Sequence, residues 1–200
     1  ALVVGTGTGA SQGLLIKGIS ALEKSHSTSI VVMDKTGTIT AGRPGVRGIN
    51  VMRGNREKIL SISSGLENES THPIASAINS ASAEYGYEKY KIDSIETFPG
   101  MGLSGILDGA IVGVGNLAMM EHLDVGIPEG IEEEIRIRAM LGRTVIFVSE
   151  DRKMLGYIEV EDEIRENSES SVSALRKNGI EVVMLTGDRE EVASTIAATV

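Results

Sequence analysis

Ser29-Ile30-Val31-Val32-Met33-Asp34-Lys35-Thr36-Gly37-Thr38-Ile39-Thr40 is the stretch from which the fold can be read. Its apolar, β-branched run predicts a strand buried on both faces, as in parallel sheets. Such a strand delivers its last residue, Asp34, to the carboxyl edge of the sheet, where open α/β sheets bind ligands. Lys35, Thr36, Gly37 and Thr38 then supply a cation, two hydroxyls, backbone N–H groups and a glycine that lets the loop come close to an anion. Those residue types fit a carboxylate nucleophile held against phosphate.

Working outward, a second apolar run at 180–185 ends in Thr186-Gly187-Asp188 and predicts another fully buried parallel strand with its ligand loop at the same edge. A helix carrying Val172 and Leu175 and stopped by Gly179 precedes it. The intervening sequence has a different rhythm. Ala41-Gly42-Arg43-Pro44-Gly45 is a breaker cluster that predicts a hinge into a new domain, followed by a weak strand at 46–52. Asn55 caps a helix through Ile59, Leu60 and Ile62, and Pro73 opens the next one, with Thr71 or His72 as its cap and Ile74, Ala77, Ile78 and Ala81 as its buried stripe. Short strands follow at 92–98, at 106–107 and at 110–114, joined by the glycine turn Pro99-Gly100-Met101-Gly102 and by the hairpin signal Asp108-Gly109. Met119 and Met120 read as core filler of a short helix. Glu132, Glu133 and Glu134 early and Arg136, Arg138 and Arg143 late read as a solvated helix face that complements the dipole. Strands at 144–149 and 154–160 then return the chain to its first domain near 151–155.

With 200 residues and a net charge of −9, the chain is long enough for one large domain or two small ones and is a poor match to nucleic acid. The absence of cysteine removes disulfides and thiolate metal sites. No run of about eighteen apolar residues is present to span a bilayer, and Ala1 in place of methionine leads to the expectation of a piece of a longer chain.

The string Asp34-Lys35-Thr36-Gly37-Thr38-Ile39-Thr40 resembles the phosphorylation motif of P-type ATPases. Three further stretches carry the likeness to their heavy-metal (type IB, copper-exporter-like) branch: residues 5–24, residues 66–78 with Glu67 and His72-Pro73, and residues 182–188. The resemblance implies an α/β fold: an incomplete haloacid-dehalogenase-like phosphorylation domain, interrupted by an α+β nucleotide-binding domain of antiparallel sheet and helices. It implies a membrane-exit segment at 1–24, phosphorylation-domain parts at 25–43 and 153–200, and a nucleotide-binding domain at 44–152.

By the same resemblance Asp34 accepts the γ-phosphate of ATP, Lys35, Thr36, Thr186, Gly187 and Asp188 serve the transfer, and Asp34 with the Thr36 carbonyl ligates Mg²⁺. Glu67, His72, Pro73, Gly100, Gly102, Gly115 and Asn116 form the adenine side, and Asp162 with Arg165 match a DxxR element. Thr71 stands where the family usually carries Glu. Implied partners are ATP, the membrane and actuator domains of a pump and a metallochaperone, at the cytoplasmic side of a cell membrane, with no nucleic acid. The carboxylate loop, the lysine and the actuator motif that complete such a pump are not in these residues, so the expectation is nucleotide binding with little self-phosphorylation. Two rivals remain. Gly5, Gly7 and Ala10 mimic a dinucleotide fingerprint with Asp34 as the ribose acid. An aspartate-based soluble phosphatase usually has a second aspartate two residues after the nucleophile, where this chain has Thr36.

Overall fold

The computed structural model describes residues 2–11, 13–15, 18, 20, 24–187 and 190–200. Helix α1 (Leu2–Ser11) takes up the glycine-rich opening. The dinucleotide reading fails at this point, because its fingerprint must form a strand-to-helix turn and here Gly5, Gly7 and Ala10 lie inside a helix. No helix of the described residues is long and apolar enough to cross a membrane.

Two sheets follow. Strands β1 (Ile30–Asp34) and β8 (Glu181–Leu185) pair in parallel, with Asp34 opposite Leu185. The other sheet has six antiparallel strands in the order β2 (Thr40–Val51), β7 (Lys153–Ile164), β6 (Thr144–Glu150), β5 (Ala110–Gly115), β4 (Gly102–Leu107) and β3 (Asp93–Phe98).

Helices α2 (Arg56–Leu66) and α3 (Pro73–Glu84) cover one face of the large sheet. Ile59, Ile62, Leu66 and Ile78 pack there on Val112, Val148 and Ile158. Helices α4 (Leu117–His122) and α5 (Ile131–Met140) cover the other face, where Met119 and Met120 are fully buried beside Phe147 and Tyr157. Helix α6 (Ser168–Lys177), which buries Ser168 and Val172, and the short α7 (Glu190–Ala197) complete the chain.

Three expectations are corrected. The strand expected at 46–52 starts earlier and takes in the breaker cluster: β2 runs from Thr40 to Val51, absorbing Gly42 (φ +67°) and Pro44 in a register shift against β7. A bulge accommodates residues that a regular ladder would reject. The doubly buried strand is β7, buried continuously from Met154 to Val160 between helices on both faces, whereas Ile30, Val32, Val183 and Leu185 on β1 and β8 are exposed. Burial on both faces belongs here to the centre of an antiparallel sheet, which an apolar run alone does not exclude. β7 also stays in the large sheet as far as Ile164, which pairs with Thr40.

The arginines near the end of α5 are not simply a solvated face. Glu159, 4% exposed on β7, accepts from Arg138 Nε (2.9 Å), Arg143 Nη1 (2.7 Å) and Asn50 Nδ2 (2.8 Å). A buried carboxylate is tolerable when several donors surround it. Arg136, by contrast, pairs with Glu133 in solvent, as read.

Candidate functional site

The loop after Asp34 is a type II turn. Thr36 (φ −76°, ψ 122°) and Gly37 (φ 78°, ψ −7°) occupy its central positions, and the second of these requires a positive φ that glycine supplies without strain. The turn is fastened from the far end of the sequence. Arg165 donates from Nη2 to the Gly37 carbonyl (2.8 Å) and from Nε to the Thr40 carbonyl (3.1 Å). Ser168 Oγ donates to the Ile39 carbonyl (2.7 Å), and Asp162 accepts from Thr40 Oγ1 (2.6 Å) and from the Arg43 N–H (3.0 Å). Asp162 and Arg165 therefore hold the loop in shape without being placed to react.

The parallel register brings the two ligand loops together. Thr186 follows the residue opposite Asp34, so both lie at one carboxyl edge. Asp34 and Gly187 are exposed and Thr186 is half-buried; Asp188 lies outside the described residues. A cleft of about 500 Å³ runs from Lys35 and Thr36, past Pro44 and Asp162, to Pro73 at the start of α3. Arg143 also lines it. The loop after Asp34 and the helix opened by Pro73 thus share one cleft. Sequence reading missed Arg143 as a cleft residue, and no local signal marks it: only the pairing of β6 with β7 brings it there.

On the insert, His72 caps α3 by accepting the Ile74 N–H at Nδ1 (3.2 Å), which leaves Nε2 outward on an exposed ring. Pro73 occupies the first turn, where its missing N–H costs nothing. Glu67, just after α2, is 7% exposed and its Oε2 is buried without a partner. Burial pushes the Glu67 carboxyl above its ordinary value of 4.5, against smaller opposing pulls from the Ser70 hydroxyl and His72.

The proton is therefore held to higher pH in the folded chain than in the unfolded one. Stability from this group is fully present below pH 4.5 and is lost as pH rises through the elevated value. Glu67→Gln, which keeps the shape without the charge, is expected to gain stability relative to wild type as pH rises from below 4.5 to neutrality, read by urea denaturation. Parallel pH curves for the two proteins would remove burial as the cause.

Gly100, Gly102, Gly115 and Asn116 form a second group at the ends of β4 and β5. Asn116 donates from Nδ2 to the Gly100 carbonyl (2.8 Å) and caps α4 by accepting the Met119 N–H (3.1 Å). Gly102 and Gly115 are opposite each other in the ladder, and a Cβ on Gly102 would lie 2.1 Å from the Val114 carbonyl oxygen. Those two glycines have a packing reason of their own; Gly100 (φ +76°) faces open space. Leu66 packs where a Gly105 side chain would be, which joins this group to the α2–α3 joint.

The Asp34 carboxylate and the Thr36 carbonyl, at and just after the end of β1, are oxygen donors of the kind a hard dication takes. Among the described residues no group of three or more His, Asp or Glu could hold a metal.

A carboxylate at the end of the first parallel strand, a clamped glycine turn behind it and an antiparallel insert between the two halves define an aspartate-headed α/β protein with an inserted α+β unit. The chain belongs to the haloacid dehalogenase-like hydrolase family, whose model matches residues 28–200. It is 35% identical over 197 residues, 98% of its length, to a copper-transporting P-type ATPase of Rhizobium leguminosarum bv. viciae. It is also 35% identical over 200 residues to a probable copper-importing P-type ATPase A of Enterococcus hirae. The chain spans about a quarter of the length of these relatives (23% and 27%). Among solved structures, a zinc-transporting PIB-type ATPase in an E2.Pi state matches all of this chain with a TM-score of 0.89 and 28% identity, over 32% of its own length.

Proposed function

We propose that this chain is the ATP-binding and phosphorylation region of a heavy-metal P-type ATPase, with copper as the transported cation and Asp34 as the phosphate acceptor. The observation that carries the reading is 35% identity to copper-transporting relatives along the whole chain, together with Asp34 at the end of the strand paired in register with that of Thr186. One Asp34 carboxylate oxygen attacks the γ-phosphorus in line; the oxygen–phosphorus bond forms as the bond to the ADP oxygen breaks. The Thr36 and Thr186 hydroxyls, Lys35 and the Gly187 N–H hold the phosphoryl oxygens, and Asp188 belongs to the same loop. Arg143, lining the cleft, adds positive charge along the polyphosphate path. Magnesium bound at Asp34 and the Thr36 carbonyl supplies charge neutralisation for the transfer.

Glu67, His72, Pro73, Gly100, Gly102, Gly115 and Asn116 take the adenosine side, which the unpartnered Glu67 Oε2 supports. Thr36, two residues after the nucleophile, cannot act as the general base of a phosphatase near neutral pH, so the acyl phosphate persists. The domain division we propose is 1–24 leading from the membrane, a phosphorylation domain made of the segment up to Thr40 and the segment after Ile164, and the nucleotide-binding insert between them. The run of β7 to Ile164 supports a return at the Thr40–Ile164 pair. The proposed setting is the cytoplasmic side of a membrane, with actuator and membrane domains and a metallochaperone as partners.

Nucleotide titration of the chain tests this. His72→Ala should weaken ATP binding roughly tenfold, the worth of one well-made contact near 1.4 kcal/mol, while circular dichroism stays unchanged. Wild-type affinity in His72→Ala would overturn the adenine-side assignment.

A further inference from the structure

A second cavity, of about 290 Å³, opens where the end of α4 meets the turn between β6 and β7, and none of the residues assigned above to nucleotide or phosphate lines it. Ile111 and Leu123 give it apolar lining, and Ser149 is its most buried member at 1% exposure. The Ser149 hydroxyl has no hydrogen-bond partner among the described residues. Gly113, opposite Ser149 in the ladder, keeps the space open: a Cβ there would overlap Leu123 Cδ1 and lie 3.1 Å from Ser149 Oγ. A hydroxyl so placed is completed only by what occupies the cavity. The rim, meanwhile, is held in an unfavourable backbone. Of the five described non-glycine residues with positive φ, three line this cavity: Asp124 (51°), Asp151 (44°) and Arg152 (58°). Asp151 and Arg152 are the two central residues of the β6–β7 turn, where glycine would fill the second position without strain. Backbone held against its preference concentrates where a side chain is used. The Gly126 N–H donates to the Arg152 carbonyl (3.1 Å), which ties the segment after Asp124 to that turn.

The charges decide what fits. Asp151 Oδ1 accepts the Ile111 N–H (3.2 Å), and its other oxygen has no partner among the described residues. Asp124 and Arg152 face one another at 3.8 Å, too far for a hydrogen bond, and both are mostly exposed. His122 lies against the Phe98 ring, with centroids 4.6 Å apart. His122, Asp124 and Asp151 do not group as metal ligands. Two carboxylates therefore outnumber one guanidinium around an unpartnered hydroxyl. Their complement is a cation with hydrogens to donate and carbon to lay against Ile111 and Leu123.

We propose that this cavity binds the ammonium of a small aliphatic amine, with Asp151 and Ser149 as its acceptors and Ile111 and Leu123 against its carbons. The same chemistry comes from a free amine or from a lysine side chain. The site is separate from the nucleotide cleft and does not depend on how that cleft is read.

Butylamine, butyrate and butanol are alike in size and differ in charge, so titrating each into the full chain isolates the sign that the cavity prefers. The readout is the amide NMR shift of the lining residues. Butylamine is expected to give saturable shifts at Ile111 and Ser149 and to bind roughly tenfold more tightly than butyrate or butanol, the worth of one charge-assisted contact. Asp151→Asn keeps a residue that tolerates positive φ and an oxygen for the Ile111 N–H, so the turn should hold while butylamine binding weakens about tenfold. Ser149→Ala should weaken it about threefold, and it decides the matter if Asp151→Asn does not fold. The lysine analogue acetyl-lysine methylamide separates the two sources: binding within about threefold of butylamine assigns the site to a lysine side chain, and weaker binding assigns it to a free amine. Absence of saturable shifts with butylamine, a preference for butyrate, or an equal response to all three probes overturns the inference. Unchanged butylamine affinity in a folded Asp151→Asn, or in Ser149→Ala where that variant is the one that folds, overturns it too.

Discussion

Asp34→Asn is expected to abolish acid-stable, hydroxylamine-labile phosphate incorporation from ATP in the proposed pump, a loss on the order of a thousandfold or more, as for removal of other covalent nucleophiles. The amide is nearly isosteric, so the turn behind it, held by Arg165, Ser168 and Asp162 rather than by Asp34, should keep its form. ATP affinity should fall little if, as proposed, the insert carries the adenosine side, and it can rise where a negative charge facing the γ-phosphate has gone. Radiolabel transfer from ATP and nucleotide titration on the same preparation separate the two effects. Incorporation that persists in Asp34→Asn would move the acceptor elsewhere.

The largest effect on stability is expected at Gly156. Replacing a strand glycine by alanine commonly helps slightly, by restricting the unfolded chain. Here the sign reverses. Gly156 sits on β7 with φ +154°, and a Cβ there would lie 2.0 Å from the Asn50 carbonyl oxygen and 2.9 Å from Ile59 Cδ1. The first contact is with the backbone of the paired strand β2, and the second with the α2 core, so relief in one direction worsens the other. β7 has its register shift beside this point, where Leu155 offers its carbonyl to both Met52 and Arg53. Gly156→Ala should destabilise by about 3 kcal/mol or more, the upper range for overpacking a rigid core. For a chain of this size that lowers the melting temperature by roughly 10 °C, read by calorimetry. A melting temperature within a degree or two of wild type would mean that the ladder yields at no cost.

What could be read before the fold was known came from residues whose meaning is local. Asn55 and Asn116 cap helices through their own side chains, His72 and Pro73 start α3, and Asp108 with Gly109 takes positive φ in the hairpin turn. The parallel pairing of β1 with β8 was legible because both runs end in small, polar loop residues. What was hidden depends on partners far along the chain. Nothing near Glu159 announces that two arginines and an asparagine from three other elements will surround it. Pro44 and Gly42 signal a break when read alone, and only the length of β7 beside them makes a bulged strand the better solution. The exposure of Val32 and Leu185 likewise cannot be told from their apolar character, since periodicity reports what a residue favours and not what covers it. At the candidate site, Asp34, Glu67 and His72 were visible as types in a pattern, while Arg143 reached the cleft through strand pairing.

The chain enters the large sheet at Thr40 and leaves it at Ile164, and those two residues are partners in the ladder between β2 and β7. Both passages are therefore bound side by side into a single ribbon, which flexes across its broad surface far more readily than within its own plane. An insert tethered this way is expected to swing as a gate on one pin. It can approach or retreat from the carboxylate through an arc but resists being twisted or slid aside. The irregularities flanking Pro44 and Val46 fall within that pin, on the stretch of chain that follows the Asp34 loop.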